Sequence, residues 1–291
     1  MRVTQSYMLE MASTAASNAQ SKVATASAEV TSGVRVNVPS DDLAGWEEGE
    51  RASIRQSEST ARGSALTLAT SKMQASDSAL TTISTALTTA TSLANEMANG
   101  TLNASERQAA ANQVQALHDT VLAAANTVGP DGKPVFSGSQ TTTPFSSTNA
   151  FSGDSVEQTV EVSEGKSMTV GVSGSVLTAA SGVDVLGTLS NLVTALNGNN
   201  VAGVQTSLAD LQTATSQVQS AQAAVGSQES ALNDASDARS SFELQLQTLQ
   251  SSSVGDDTTT AATALAQAQN GLAASETVEQ VLQELAQKNI S

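Results

Sequence analysis

The chain has 291 residues, a formal net charge of −16, and only 2% aromatic residues. Large aromatic side chains dominate compact cores and ligand pockets, so this composition argues against a large globular interior and an enzyme pocket. The negative charge opposes contact with phosphate backbones and anionic membrane surfaces, which disfavours nucleic-acid partners. The chain has no cysteine, which excludes disulfides and thiolate sites.

The first predicted element is a long helix over residues 1–31. Its few large apolar side chains stand among small polar ones, so the apolar stripe is thin and the isolated helix should be marginal. No basic region followed by an apolar run marks a Sec signal peptide here. No apolar run in the chain reaches the roughly 20 residues of a membrane span, so no membrane insertion is expected.

A break in the helical pattern follows the first helix. Gly33 suits a helix C-cap, and Pro39 cannot continue a helix and restricts Val38 to extended backbone. Ser40 is placed to cap the start of the next helix through its hydroxyl. The segment therefore predicts a helix, a turn, an extended loop and a second helix.

Two carboxylate pairs, Asp41-Asp42 and Asp256-Asp257, permit two interpretations. Paired carboxylates can serve acid–base chemistry, but both pairs lie at predicted helix starts, where negative charge favours the helix dipole. We favour the structural interpretation. We also hypothesise that Arg35 pairs with Asp41 or Asp42 and fixes the turn.

Heptad spacing marks the two helices inside the termini. Apolar residues recur every three or four positions from Leu66 to Met97, and again from Val201 to Val225, which predicts coiled-coil seams. Gly100 breaks the first helix, and the same spacing resumes over 104–128. The large apolar members of the two main seams form the predicted rod core, which comprises Leu66, Met73, Leu80, Ile83, Leu87, Leu208, Leu211, Val218 and Val225.

Between the helical halves, the period changes to that of β-strands. Three of the four phenylalanines, Phe136, Phe145 and Phe151, cluster in this segment and predict a small local core. Alternating valines flank Glu164-Gly165, which predicts a β-hairpin with its turn at that dipeptide.

Helix returns at Asp184 and is interrupted at 251–257, before a last helix over 258–288. The simplest fold pairs 66–98 with 201–250, and 1–31 with 258–288. The predicted fold class is mainly α: long antiparallel N- and C-terminal helices form a coiled-coil or bundle rod, with a small β-rich insert in mid-chain. The predicted domains are an assembly domain of terminal helices and loop (1–60 and 251–291), a rod (61–129 and 182–250) and a surface insert (130–181).

Catalytic constellations are not recognisable in the sequence. His118, the only histidine, is predicted to be a surface residue, because the adjacent Asp119 should point elsewhere on a helix. No spacing of ligand residues indicates a metal site or a cofactor. The glycines at 33, 45 and 49 lack the strand and lysine of a phosphate-binding loop. We therefore expect a protein that is not an enzyme.

Several motifs, in order along the chain, resemble the bacterial flagellin superfamily, which includes flagellin and the hook-associated proteins. The run SGVRVNVPSDDLAG at 32–45 is similar to the N-terminal signature of the superfamily. The run PVFSGSQTTTPF at 134–145 is similar to a segment more typical of the hook–filament junction proteins. The stretch from 183 to 200 and the last helix resemble the conserved C-terminal half. The signature-loop residues are Ser32, Gly33, Arg35, Asn37, Pro39, Ser40, Asp41 and Asp42.

The resemblance implies a structural subunit of the bacterial flagellum that joins hook to filament at their junction. It implies secretion by the flagellar type III apparatus, extracellular localisation, and folding on assembly. The implied partners are a ring of identical subunits, a neighbouring hook-associated protein, flagellin, and an export chaperone at the C-terminal helix. The expected assembly interface comprises Val3, Tyr7, Met11, Val23, Val30, Leu265, Leu272, Val278, Leu282 and Leu285.

Two other functions fit parts of the sequence. Flagellin, the filament subunit, shares the terminal motifs. A soluble coiled-coil signalling or interaction protein, such as a chemoreceptor rod, shares the Ala/Ser/Gln-rich heptads. A β-rich insert and the missing membrane spans count against the receptor rod, which should be helical throughout its tip.

Overall fold

The computed structural model describes residues 2–288, except the side chains of residues 2–6 and 286. Helix accounts for 74% of the described residues, and the predicted mainly α fold with a small β-rich insert is confirmed. The described elements, in chain order, are α1 (Arg2–Ser32), α2 (Leu43–Met97), α3 (Ala104–Ala125), β1 (Gln158–Ser163), β2 (Lys166–Val170), two short 3-10 helices (Gly174–Leu177 and Ala179–Ser181), α4 (Val185–Asn197), α5 (Val201–Val254) and α6 (Thr258–Lys288).

The chain forms two compact units. The terminal unit comprises Met1–Glu58 and Phe242–Ser291, and the central unit comprises Ser59–Ser241. Helices α2 and α5 each contribute to both units. Among the described residues, no helix is apolar over a length that could cross a membrane.

In the terminal unit, α1 packs against α6, as the sequence predicts. The amide of Asp256 donates to the carbonyl of Gly33 at 3.0 Å, which joins the end of α1 to the start of α6 and makes the pair antiparallel. The buried contacts are made by small residues such as Ala12, Ala26 and Ala261. Small side chains bury little apolar area, so this pair gains little free energy from its own packing.

In the central unit, α2 and α5 run antiparallel. The Gln222 amide donates to Thr81 Oγ1 at 3.2 Å, and a Cβ added at Gly63 would lie 2.8 Å from the Arg239 guanidinium carbon. The residues of the α2 seam lie inside this unit, and Leu80, Ile83 and Leu87 are fully buried. Of the predicted rod core, only Leu208 is half-buried, and the other members are buried.

Arg107 is a buried residue that the sequence analysis did not single out. Its guanidinium donates to the carbonyls of Met97 at 3.1 Å and Asn99 at 2.8 Å, where α2 ends. It also bonds the carbonyl of Leu102 and the side chain of Asn199, in the turn between α4 and α5. The charge therefore lies against backbone carbonyls at the end of α2 and in the turn that leads to α3.

The predicted hairpin forms between β1 and β2. The strands are antiparallel, with Val160 opposite Met168. Gly165 adopts φ 69° in the turn, a conformation that glycine enters without steric cost. Phe136 and Phe145 are fully buried and join the same core as the helices, so the insert packs as part of the central unit.

Asp154 organises the loop that precedes the hairpin. Its carboxylate accepts from the Ser139 amide at 2.8 Å, the Gln140 side chain at 3.1 Å and the Val156 amide at 3.1 Å. Hydrogen bonds from the Ser139 side chain and amide are the main causes that lower the pKa of Asp154 to about 2. The segment at 134–145 that resembles the junction proteins is thus held by a carboxylate downstream.

Two sequence predictions about single elements are wrong. Helix α5 continues to Val254, so the second break spans only residues 255–257 rather than 251–257. His118 is buried, with 6% of its surface exposed, and its Nδ1 lies 3.1 Å from Asp119 Oδ1. The ring sits beneath the loop at 145–151, which the spacing along α3 alone did not reveal.

Candidate functional site

The signature loop of the terminal unit is fastened to the break between α5 and α6. The amides of Arg35 and Val36 donate to the carbonyl of Val254 at 2.8 and 3.3 Å, and Val34 forms an isolated antiparallel bridge with Gly255. Val36 is buried. We call this arrangement of residues 33–42 against 253–256 the clasp.

Arg35 is the central side chain of the clasp. Its Nη2 donates to Asp42 Oδ2 at 3.0 Å and to the carbonyl of Ser253 at 3.2 Å, so Asp42 is the observed partner of the hypothesised pair. The side chains of Arg35 and Asp42 are 44% and 34% exposed, and an ion pair at such exposure contributes little energy. The pair therefore positions the loop more than it strengthens it.

The predicted N-cap at Ser40 is wrong, because α2 begins at Leu43 and Asp42 caps it. Asp42 Oδ1 accepts from the Gly45 amide at 3.1 Å. The amide of Asp41 donates to the carbonyl of Val38 at 3.0 Å. Ser40 therefore lies inside this turn and not at the start of the helix. Hydrogen bonds from the Gly45 amide and then Arg35 lower the pKa of Asp42.

Asp41 holds the opposite side of the loop. Its Oδ2 accepts from the amides of Asn37 at 3.0 Å and Val38 at 3.1 Å. Both carboxylates of the Asp41-Asp42 pair are therefore occupied by backbone donors, as the structural interpretation predicts. No group of three or more histidine and carboxylate side chains among the described residues could hold a metal ion.

Two glycines allow α2 to approach the end of α5 within the terminal unit. A Cβ at Gly45 would lie 2.7 Å from the carbonyl oxygen of Ser253, and one at Gly49 would lie 2.5 Å from Val254 Cγ1. Real Cβ atoms do not come so close without displacing a neighbour. The spacing of the two glycines, four residues apart on a helix, is the signal in the sequence that could have indicated this contact.

The predicted assembly residues divide into two groups in the α1–α6 pair. Four are half-buried in the terminal unit: Val23, Leu265, Leu272 and Leu282. Five are exposed: Tyr7, Met11, Val30, Val278 and Leu285. The side chain of Val3 lies outside the described residues. The thin stripes therefore leave large apolar side chains facing solvent.

Most of the exposed group gathers at one end of the pair. Because the helices are antiparallel, the start of α1 lies beside the end of α6. Tyr7, which is 62% exposed, lies there. Two further exposed residues at this end, Met8 and Val281, were not predicted from the sequence. We call the set Tyr7, Met8, Met11, Val278, Val281 and Leu285 the terminal patch.

A groove of small residues lies between α1 and α6. It has a volume of about 760 Å³, and alanines at 15, 19, 264 and 268 and Gly271 are among its lining residues. Ionisable residues are sparse here: α1 has none over 11–21, and the chain has none from Thr258 to Ser275. Of the described lining residues only Lys22 and Glu29 are ionisable, and their charges are opposite. This face therefore has little of the like-charge repulsion expected elsewhere on a chain of net charge −16.

The chain is similar to known proteins in its N-terminal half and over longer alignments. Residues 3–141 match the family model of the bacterial flagellin N-terminal helical region. The chain is 27% identical over 176 residues to flagellar hook-associated protein 3 of Salmonella typhimurium, an alignment that spans 60% of this chain and 56% of that protein. It is 28% identical over 220 residues to flagellar hook-associated protein 3 of Escherichia coli, spanning 72% of this chain and 68% of that protein.

The fold is shared with a solved protein structure. The crystal structure of Xanthomonas campestris FlgL superposes with a TM-score of 0.61 at 19% sequence identity, covering 70% of this chain and 99% of that one. The resemblance inferred from the motifs is confirmed: the chain is similar to flagellar hook-associated protein 3 in sequence and to FlgL in fold.

Proposed function

We propose that this chain is a structural subunit of the bacterial flagellum, the adaptor that joins hook to filament at their junction. The observation that carries the proposal is the pair of alignments with flagellar hook-associated protein 3, which span 60% and 72% of the chain. The aligned relatives carry that name rather than the name of flagellin. A structural rather than catalytic role is in keeping with them.

The terminal unit supports assembly through α1 and α6. The terminal patch exposes six large apolar side chains on two thinly packed helices, and clusters of this kind mark protein–protein contacts. We infer that it is covered by identical subunits in a ring, by the neighbouring hook-associated protein, or by flagellin. The neighbouring groove, with its small side chains and few charges, suits close helix packing.

The proposal includes secretion through the flagellar type III apparatus followed by folding on assembly. The chain has no cysteine, so no disulfide has to be reduced before passage. The weak packing of α1 on α6 suits helices that are ordered by their neighbours. An export chaperone could recognise the apolar face of α6, at Val278, Val281 and Leu285, as an amphipathic helix laid in a groove.

Immunogold electron microscopy of detached flagella tests the proposal. Antibody against the full chain should label one spot where hook meets filament. Label along the whole filament would contradict the proposal and identify a flagellin. Absence of label from flagella that are otherwise complete would return the chain to the class of soluble coiled-coil proteins.

A further inference from the structure

The insert loop at 145–151 is fastened to α3 by two side chains. The Asn126 side chain bonds Phe145 twice, accepting from its amide and donating to its carbonyl, both at 2.9 Å. The second fastening is His118, whose Nε2 lies 3.0 Å from Asn149 Oδ1. The backbone of Asn149 is in the left-handed conformation, φ 64°. Its backbone N–H donates to the Ser146 carbonyl at 2.9 Å.

Both ring nitrogens of His118 face oxygen atoms. Nδ1 is 3.1 Å from Asp119 Oδ1, and a carboxylate can only accept. The Asn149 amide presents its oxygen to the ring, because its nitrogen donates to Ser190 Oγ at 3.0 Å. A ring that donates from both nitrogens is an imidazolium, since the neutral ring has one N–H.

A second arrangement satisfies the same groups with the neutral ring. If the Asn149 amide turns over, its nitrogen donates to the bare Nε2 and its oxygen accepts from the Ser190 hydroxyl. Nδ1–H continues to donate to Asp119. The two arrangements differ by one proton, released from Nε2 to water, and by the direction of the amide and hydroxyl bonds.

We propose that His118, Asn149 and Ser190 form a proton-coupled hydrogen-bond relay that keeps the insert loop fastened in both charge states of the histidine. Asn149 is the adapter, because an amide can offer either an acceptor or a donor to the ring. Ser190 makes the reversal possible, because a hydroxyl can receive or give the bond. The relay is independent of the proposed flagellar role.

The charged surroundings of the ring are simple. Asp119 is the titratable side chain bonded to it, and its pKa is lowered by that hydrogen bond and by one from Gln115. The loop at 145–151 and helix α4 carry no ionisable side chain.

Nitrogen-detected NMR of the full chain tests the relay, because the chain has a single histidine. In a pH series that takes the ring from imidazolium to the neutral form, the neutral ring should carry its proton on Nδ1, and the Asn149 side-chain amide should shift together with the ring. A neutral ring protonated on Nε2, or an Asn149 amide that does not follow the ring, would overturn the proposal.

Ser190→Ala gives an independent test by hydrogen exchange. Without the hydroxyl, the turned amide loses its donor, so the amides at 146 and 149–151 should exchange roughly fivefold faster above the midpoint, the effect of about one hydrogen bond. Below the midpoint, exchange should change less, because there the hydroxyl only accepts. Thr194→Ala, on the exposed side of the same helix, is the control. Equal acceleration at both pH values would contradict the relay.

Discussion

At the scale of single residues, polar side chains hold the chain wherever the helices stop. In the clasp, Arg35 donates to the Ser253 carbonyl. Arg107 donates to the Asn99 carbonyl after the end of α2, and Asp154 accepts from the Ser139 amide in the loop before the hairpin. In each case one charged side chain bonds at least one backbone group together with other polar groups, which is the role expected of polar residues next to helix breaks.

Replacing Arg35 by Ala should loosen the clasp. The substitution removes the donors to Asp42 and to the Ser253 carbonyl, and because the pair is exposed the cost should be only about 0.5–1 kcal/mol. Hydrogen exchange at the amides of Arg35 and Val36 should accelerate, and assembly should weaken. Arg35→Lys, which keeps the charge, is the matched control. Unchanged folding and assembly in Arg35→Ala would refute the role of this side chain.

Glu229→Gln should stabilise the central unit at neutral pH. Oε1 of Glu229 is buried without a partner, and burial, with the charge of Asp77, raises the pKa of Glu229 above 4.5. A raised folded pKa means that the native chain loses stability as pH rises from the unfolded value through the folded one. The glutamine variant lacks this loss and should gain on the order of 1 kcal/mol at pH 7.

Urea unfolding at pH 4 and pH 7 measures the difference. The gain in Glu229→Gln should shrink at the lower pH, where the wild-type carboxyl is more protonated. Asp234→Asn, an exposed position on the same helix, should show no such difference. A gain independent of pH would assign the effect to something other than the buried charge.

At the scale of elements, α2 shows how the same helix serves two kinds of contact. Within the central unit its seam presents Leu80, Ile83 and Leu87 to the core, following the heptad period. Within the terminal unit it presents glycines to the end of α5. Large side chains stabilise the first contact, and missing side chains permit the second.

Leu80→Asp should unfold the central unit. Leu80 is fully buried, and a carboxylate there would cost several kcal/mol because nothing nearby pairs with it. Leu68→Asp on the same helix is the control, since Leu68 is 47% exposed. Thermal unfolding followed by circular dichroism should show a lost transition only in the first variant. Similar melting of both would contradict the assigned seam.

Gly49→Ala and Gly226→Ala should have opposite effects. At Gly49 the new methyl group meets Val254 at 2.5 Å, while at Gly226 nothing lies within 4 Å. The first should destabilise the terminal unit by about 1–3 kcal/mol through overpacking. The second should stabilise its helix by about 0.5–1 kcal/mol. Unfolding midpoints in urea compare them, and a stabilising Gly49→Ala would contradict the close approach.

At the scale of the whole molecule, the large buried apolar side chains are unevenly distributed between the two units. The contiguous core of large side chains lies in the central unit, whereas the terminal unit is packed mostly by alanines and leaves the terminal patch exposed. A unit with little buried area depends on partners for its order. This division is the structural reason to place assembly at the chain ends.

Removing residues 1–30 or 260–291 should abolish assembly and spare the central unit. Circular dichroism should retain the cooperative transition of the core, because no described side chain of α1 or α6 belongs to its buried cluster. Complementation of a strain lacking the protein should fail to complete flagella, whereas the full chain should succeed. Flagella completed by either truncated protein would exclude the terminal helices as the assembly interface.

The periodic parts of this protein could be predicted from its sequence. Heptad spacing predicted the seam from Leu66 to Met97, and alternation with Glu164-Gly165 predicted the hairpin, because both patterns repeat over neighbouring residues whose geometry is local. The family resemblance likewise came from ordered motifs. The expectation for Ser40 failed because a turn and a cap competed for the same few residues.

The hydrogen-bond partners of single polar side chains became clear only from the tertiary structure. Arg107 reaches Asn199, and His118 reaches Asn149 beneath a loop. These partners lie far apart in sequence, and no period along the helix marks them. For Gly49, the glycine spacing on α2 indicates a face of close approach, but its partner Val254 follows only from the packing of α2 beside the end of α5. Periodicity specifies which face of a helix is buried, but the partner of a lone side chain depends on which segments fold against it.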